Sequence, residues 1–158
     1  MVIKAEPVIK AIQKAKGVKK KVKIIFLSPS GKQFDNGYAK KLVKNYKDII
    51  IIAGRYEGID ARVKKVFKTD DITIGPYILT GGELPAMLMV DVISRQIEGV
   101  LGDKDSLEEK RNASPEVYTR PESFKYKNKN YKVPKVLLSG HHKEIEKWRK
   151  SKNSKIDV

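Results

Sequence analysis

The run Asp71-Ile-Thr-Ile-Gly-Pro-Tyr-Ile-Leu-Thr-Gly-Gly-Glu-Leu-Pro-Ala86 packs a strand, a glycine turn, a second short apolar run, a diglycine and a helix start into one stretch. Gly81 and Gly82 have no Cβ, so they can take positive φ and let main-chain N–H and C=O groups approach a ligand closely. Pro85 suits the first turn of a helix, and Leu84, Met87, Leu88 and Val92 continue at helical spacing. A strand before and a helix after put this loop at the rim of a sheet. Outward from it, Val22 to Leu27 reads as a buried strand, and Ile49 to Ala53 opens with four consecutive isoleucines. Apolar runs of this kind suit strands covered on both faces. Between them lie helical patterns. Glu6 to Lys16 puts Val8, Ile9, Ile12 and Ala15 on one face before Gly17, and Phe34, Tyr38, Leu42 and Val43 mark a helix ending near Asn45. Further helices are expected from about Gly58 to Phe67 and from Glu83 to about Gln96, with short strands around Ile72 and Ile78. The alternation predicts an α/β fold, a mostly parallel sheet flanked by helices.

Past Gly102 the character changes. We expect a ligand-binding α/β core over 1–102, a linker loop over 103–117, where Asp103 to Ser114 is polar and ends at a proline, and a basic segment with a helix over 118–158. Within that last part, Lys125 to Lys132 predicts an exposed basic hairpin or loop, Val136 to Leu138 a brief strand, and Lys143 to Lys152 a basic helix. There is no internal repeat.

Composition narrows the function classes. At 158 residues and 40% hydrophobic content the chain can bury one compact core and is too short for two large ones. A formal charge of +15 points to an anionic partner, RNA or DNA ahead of a membrane surface, because the basic and aromatic residues do not gather into one amphipathic helix. A lysine-rich solvated surface accounts for the same charge. The absence of cysteine excludes disulfides, thiolate metal sites and cysteine nucleophiles, and fits a cytoplasmic location. No run of about 18 apolar residues occurs, and the basic N-terminus lacks an apolar core followed by a cleavage site, so no membrane partner or export is expected.

Three strand ends carry turns suited to a ligand: Leu27-Ser28-Pro29-Ser30-Gly31, Gly54-Arg55-Tyr56-Glu57-Gly58 and Leu79-Thr80-Gly81-Gly82. In a parallel sheet they would meet at the C-terminal edge, where open α/β sheets bind ligands. Singly, each is also an ordinary strand-to-helix connection. Neither G-x-G-x-x-G nor G-x-x-x-x-G-K-[ST] is present where it would matter, which disfavours a dinucleotide-binding domain and a P-loop enzyme. Tyr56 can stack on a base, and Glu57 can accept hydrogen bonds from purine N–H groups. Alternatively Arg55 and Glu57 form a surface ion pair, and Asp60 pairs with Lys64 along a helix. Arg95, near the end of an apolar helix, can hold a carboxylate or phosphate, or simply interact with the helix C-terminus. Asp105 is a general-base candidate if burial or a partner tunes it, and otherwise a structural or exposed aspartate. His141 and His142 are adjacent without further ligands at metal spacing, so they read as capping or RNA-contact residues and no metal site is assigned. The aromatic and lysine interleaving from Phe124 to Lys132, with Trp148-Arg149, suits RNA through stacking and phosphate contacts; a solvated loop is the competing reading.

Taken together, Met1-Val-Ile-Lys-Ala-Glu-Pro7, Leu27-Ser-Pro-Ser-Gly31, Gly54-Arg-Tyr-Glu-Gly-Ile-Asp60, Ile74-Gly-Pro-Tyr-Ile-Leu-Thr-Gly-Gly-Glu-Leu-Pro-Ala86, Ser94-Arg95, Gly99-Val-Leu-Gly102, Asp105-Ser106, Tyr118-Thr-Arg-Pro-Glu122 and Val136-Leu-Leu-Ser-Gly140 resemble the bacterial tRNA (guanine-N1)-methyltransferase family TrmD. They occur in the family's order over nearly all of the chain. The resemblance implies a SPOUT-class α/β fold with a C-terminal deep trefoil knot, an exception to the rule against knotted connections. It implies a homodimer with active sites at the subunit interface. It also implies S-adenosyl-L-methionine bent in the knot and held by Leu27, Ser28, Pro29, Gly54, Tyr56, Glu57, Ile74, Gly75, Tyr77, Leu79, Gly81, Gly82 and Pro85. The activity implied is methyl transfer to N1 of guanine at tRNA position 37, just 3′ of the anticodon. Asp105 would be the general base, Arg95 would stabilise charge on the guanine O6, and Glu57 would orient the base or cofactor. Mg2+ assistance is expected from the family, although no metal signature is readable. The chain departs from the pattern at Pro76, where an acidic residue is usual, in a shorter stretch before Asp105, and at Ser114-Pro-Glu-Val117. The family's preceding strands and its helical C-terminal domain are not within these 158 residues.

Overall fold

The computed structural model describes residues 1–101 and 116–152, which divide between two compact units, Met1–Val100 and Leu101–Val158. In the first unit, strands β1 (Val22–Gln33), β2 (Asp48–Ile52) and β3 (Asp70–Thr73) form a parallel sheet in the order β2-β1-β3. The register runs Val22 opposite Asp48 through Phe26 opposite Ile52, and Ile25 opposite Asp70 through Leu27 opposite Ile72. Helices α1 (Ala5–Lys16), α2 (Asn36–Asn45), α3 (Arg62–Val66) and α4 (Glu83–Ser94) cover it.

Successive side chains of a strand point to opposite faces, and β1 uses this to feed two cores. Ile25 joins Ala39 and Leu42 of α2, Met89 and Ile93 of α4, Phe34 and Ile72 on one face. Ile24 and Phe26 join Ala5 and Ile12 of α1, Val63 of α3 and Ile52 on the other. The sheet is thus a middle layer with α2 and α4 on one side and α1 and α3 on the other. The central strand is buried on both faces, as its apolar run predicts.

Local chemistry places the helix ends. Asp35 caps α2, its Oδ1 accepting the Tyr38 N–H at 2.6 Å. In α1, Glu6 lies in the first turn, Lys14 and Lys16 lie in the last, and Gly17 ends the helix at φ 50°. Across the sheet edge, the Tyr38 hydroxyl donates to Asp70 at 2.8 Å while Lys23 pairs with the same carboxylate at 2.6 Å. This ties α2 to β1 and β3.

Several expectations are corrected. The helix expected from Gly58 is reduced to Arg62–Val66, because Gly58 sits at φ 114° and Asp60 turns back to accept the Arg62 N–H at 2.9 Å. No strand forms around Ile78, since residues after Thr73 leave the sheet ladder. Asp60 pairs with Arg62 rather than Lys64, whose amine bonds Asp71 instead.

In the second unit, β4 (Ser123–Tyr126) and β5 (Lys129–Lys132) make an antiparallel two-stranded ribbon, matching the expected basic hairpin. Val136 to Leu138 is not a strand but part of a short helix, α5 (Lys135–Leu138), which starts directly after Pro134. Pro fixes a φ suited to a helix start. Helix α6 (His142–Lys152) follows, with Trp148 beside Tyr118 at 6.2 Å between ring centroids. The expected linker, including Asp105, lies almost wholly outside the described residues. Among the described residues no helix is long and apolar enough to cross a membrane.

Candidate functional site

The C-terminal ends of the three parallel strands carry the site. Leu27 and Lys32 both register against Ile72, so residues 28–31 are looped out of β1. The return is tight: a Cβ at Gly31 would lie 2.5 Å from the Ile72 nitrogen. After β3 the chain crosses from that edge strand, past the end of β1, to β2 on the far side. There the Gly82 N–H donates to the Gly54 carbonyl at 2.7 Å, and Arg55 and Gly81 form an isolated antiparallel bridge. Gly82 has φ −84°, so the left-handed freedom expected of the diglycine is not used. Its need is steric, for a Cβ would stand 2.7 Å from the Ala53 Cα and 2.9 Å from the Gly54 nitrogen.

The three loops enclose a cavity of about 350 Å³, within the range of about 300–1,000 Å³ typical of small-molecule sites. The first loop contributes Leu27, Ser28 and Pro29, the second Gly54, Tyr56 and Glu57, and the third Ile74, Tyr77, Leu79, Gly81, Gly82 and Pro85. Gly75, the remaining residue expected to hold cofactor, does not line it. A Cβ there would meet the Tyr77 ring, so Gly75 makes room for the ring that does.

Second contacts shape the loops. Thr73 Oγ1 donates to the Gly75 carbonyl at 2.9 Å, pinning the turn that leaves β3. Arg55 Nε donates to Glu83 Oε1 at 2.5 Å, joining the second loop to the first turn of α4. The expected Arg55–Glu57 pair is therefore replaced. Hydrogen bonding and charge from Arg55 hold the Glu83 carboxyl below its ordinary range, and Glu83 raises the arginine. The Glu57 carboxylate stands 2.6 Å from the Met1 amino nitrogen. The N-terminal segment clamps this loop through Ile3 N–H to Gly58 O, 2.9 Å, and Asp60 N–H to Ile3 O, 3.0 Å.

Tyr56 is held at φ 59° and is 68% exposed beside the cavity. A bulky residue in the left-handed region is strained, and such strain collects at ligand sites. Sequence reading singles out Tyr56 for its ring and has no signal for its backbone. It also passes over Thr73, the last residue of β3, and reads Ile78 as strand, whereas both line the cavity.

Arg95 is not among the lining residues. It caps the far end of α4, and its helix begins at Gly82 on the cavity. Twelve residues of helix span about 18 Å. No group of three or more His, Asp or Glu suited to a metal ion occurs among the described residues.

The sequence matches the family model described as tRNA (Guanine-1)-methyltransferase TrmD over residues 1–156. Among curated relatives, the tRNA (guanine-N(1)-)-methyltransferase of Geobacter metallireducens is 42% identical over 156 residues, covering 96% of this chain and 62% of the relative. The proteins of the same name from Buchnera aphidicola and Dictyoglomus turgidum are each 46% identical, with coverage of 94% and 63%, and 95% and 60%, respectively. The chain thus spans about six-tenths of the length of these relatives. With three glycine-bearing loops gathered round one cavity and the family model matching residues 1–156, this chain belongs to the tRNA (guanine-1)-methyltransferase family TrmD.

Proposed function

We propose that the chain is a cytoplasmic tRNA methyltransferase that moves a methyl group from S-adenosyl-L-methionine to N1 of guanine at position 37. The observation carrying this reading is the convergence of three family loops on one cavity at the C-terminal edge of a parallel sheet. The cavity fits the cofactor in size and in chemistry. It offers apolar walls at Leu27, Ile72, Ile74 and Leu79, backbone polar groups at the glycine turns, and the Tyr56 and Tyr77 rings as flat surfaces. S-adenosyl-L-methionine, once bound, supplies an electrophilic methyl on a sulfonium. The chain's part is to hold it and to prepare the acceptor.

Neutral guanine keeps a proton on N1, so the nitrogen becomes nucleophilic only as that proton leaves. Asp105, outside the described residues, is proposed as the base that takes it. Electron density then moves toward the guanine O6, where the Arg95 guanidinium is proposed to stabilise it. Glu57, at the cavity rim, is proposed to orient the base.

Arg95 stands a helix length from its own cavity, which favours a homodimer in which one subunit's Arg95 serves the other's site. The outward side of α4 supports this reading, because Leu84 and Met87 are 66% and 67% exposed and Val90 is 55% exposed. The trefoil knot of the family is likewise proposed. The crossing from β3 to β2, with Gly82 against Ala53 and Gly54, supports it. A magnesium ion finds no carboxylate cluster among the described residues, and no step is assigned to it.

Incorporation of labelled methyl into a tRNA transcript, and its loss in Asp105→Ala, tests the reading. A chain that binds S-adenosylhomocysteine but transfers no methyl would instead be a non-catalytic binding module.

A further inference from the structure

The β4–β5 ribbon carries two kinds of side chain on two faces. Cross-strand pairing sets Phe124 opposite Tyr131 and Tyr126 opposite Lys129, so these four share one face. Phe124 and Tyr131 stack at 5.3 Å between centroids with 14° between planes. Lys125 and Lys132 lie on the other face. Every residue from Ser123 to Lys132 is exposed, and Phe124 and Tyr126 are each 58% exposed. Lys127 and Asn128, at φ 43° and 61°, form the two-residue turn, a type favoured by the ribbon twist.

Three exposed aromatic rings on an isolated ribbon are costly in water, and four lysines without one acid between Ser123 and Val133 make the surface cationic. Lys129 stands 5.6 Å from the Tyr131 ring centroid, and Lys127 stands 5.6 Å from that of Tyr126. Flat apolar faces beside cations are complementary to unpaired nucleotides, whose bases have π-faces and whose phosphates are anionic. A paired duplex keeps its base faces stacked and offers phosphates and 2′-hydroxyls instead.

We propose that the β4–β5 ribbon is a docking platform for unpaired RNA, stacking bases on its aromatic face and meeting phosphates with its lysines. The proposal rests on RNA being the substrate class and adds a contact surface apart from the cavity. It locates loop recognition on this ribbon.

The test uses the full chain in fluorescence anisotropy with two labelled RNAs, a stem-loop and the same stem as a blunt duplex. Phe124→Ile/Tyr126→Thr/Tyr131→Val removes the rings while keeping β-favouring side chains. This variant is expected to bind the stem-loop about tenfold or more weakly and the duplex as the parent does. Lys125→Gln/Lys132→Gln is expected to weaken both RNAs and flatten the salt dependence by roughly 1.5 log units per log unit of salt.

Parent-like stem-loop binding by the aromatic variant overturns the proposal. So does an equal loss for both RNAs, or a change in sedimentation without a change in RNA affinity, which would assign the face to a second copy of the chain. Methyl transfer by the parent is measured alongside. Loop-selective binding without transfer would sink the proposed activity and leave the ribbon standing, and transfer with unaltered variant binding would do the reverse.

Discussion

At the residue scale, Gly82 permits a close approach of the crossing segment to β2, because the Ala53–Gly54 backbone occupies the space a side chain would need. Gly82→Ala must push that backbone away, a strain of about 1–3 kcal/mol. We expect S-adenosylhomocysteine affinity to fall about tenfold or more in calorimetric titration, and parent-like affinity would contradict the steric role. Tyr38 makes a separate prediction about stability. Burial and the hydrogen bond to Asp70 raise its hydroxyl well above the ordinary tyrosine range. For Asp70 itself burial acts upward, but hydrogen bonds from Lys23 and Tyr38 and the lysine charges outweigh it and leave its carboxyl below the usual value. A raised tyrosine contributes stability that is intact below pH 10 and lost as pH rises above it. A lowered carboxyl contributes stability intact above the usual carboxylate range and lost as pH falls through it. Tyr38→Phe should cost about 0.5–1.5 kcal/mol at neutral pH. It should also reduce the alkaline part of the decline in a series of thermal melts, and shrink without abolishing the acid part, which Lys23 still supports through Asp70.

At the element scale, the crossing segment works because its two ends are pinned. Thr73 holds the turn out of β3, and the Arg55–Glu83 pair with the Gly82–Gly54 hydrogen bond holds the arrival at β2 and α4. Arg55→Ala and Glu83→Ala should each weaken S-adenosylhomocysteine binding a few-fold. The double variant should be little worse than either, because both remove the same link. Additive losses would show that the two residues act separately. Much at this scale was legible in advance. Ile49 to Ile52 reads as a strand because its side chains are apolar in an unbroken row, though at the sheet edge only Ile52 is fully buried, and α1 reads as a helix because its apolar residues recur at helical spacing. Ile78 and Val136–Leu138 are not strands despite their apolar runs, since a short apolar run fits a strand, a turn or a helix until neighbours accept its hydrogen bonds. The reduced α3 has the same origin: Gly58 and Asp60 make a turn within a span whose apolar spacing is helical.

At the scale of the whole molecule, the exposed apolar side of α4 and the distance of Arg95 from its own cavity make association the expected state. Sedimentation should give twice the 17.9 kDa of one chain. Met87→Glu should favour the monomer and reduce methyl transfer while leaving the unfolding temperature of the isolated chain nearly unchanged, because Met87 is 67% exposed. A variant that stays dimeric and active would contradict the interface. The positive charge, the alternation of helix and strand, the two-sided burial of the central strand and the three glycine-bearing turns are all written locally, in residue type and spacing, and so could be read from the chain. Which turns meet is a different matter. The looped-out residues 28–31, the passage from β3 across to β2, the replacement of an Arg55–Glu57 pair by Arg55–Glu83, and the steric rather than torsional demand on Gly82 join residues distant in sequence. Those contacts depend on how the sheet orders its strands and how closely the loops pack. Local propensity is silent on both, so folding in three dimensions had to supply them.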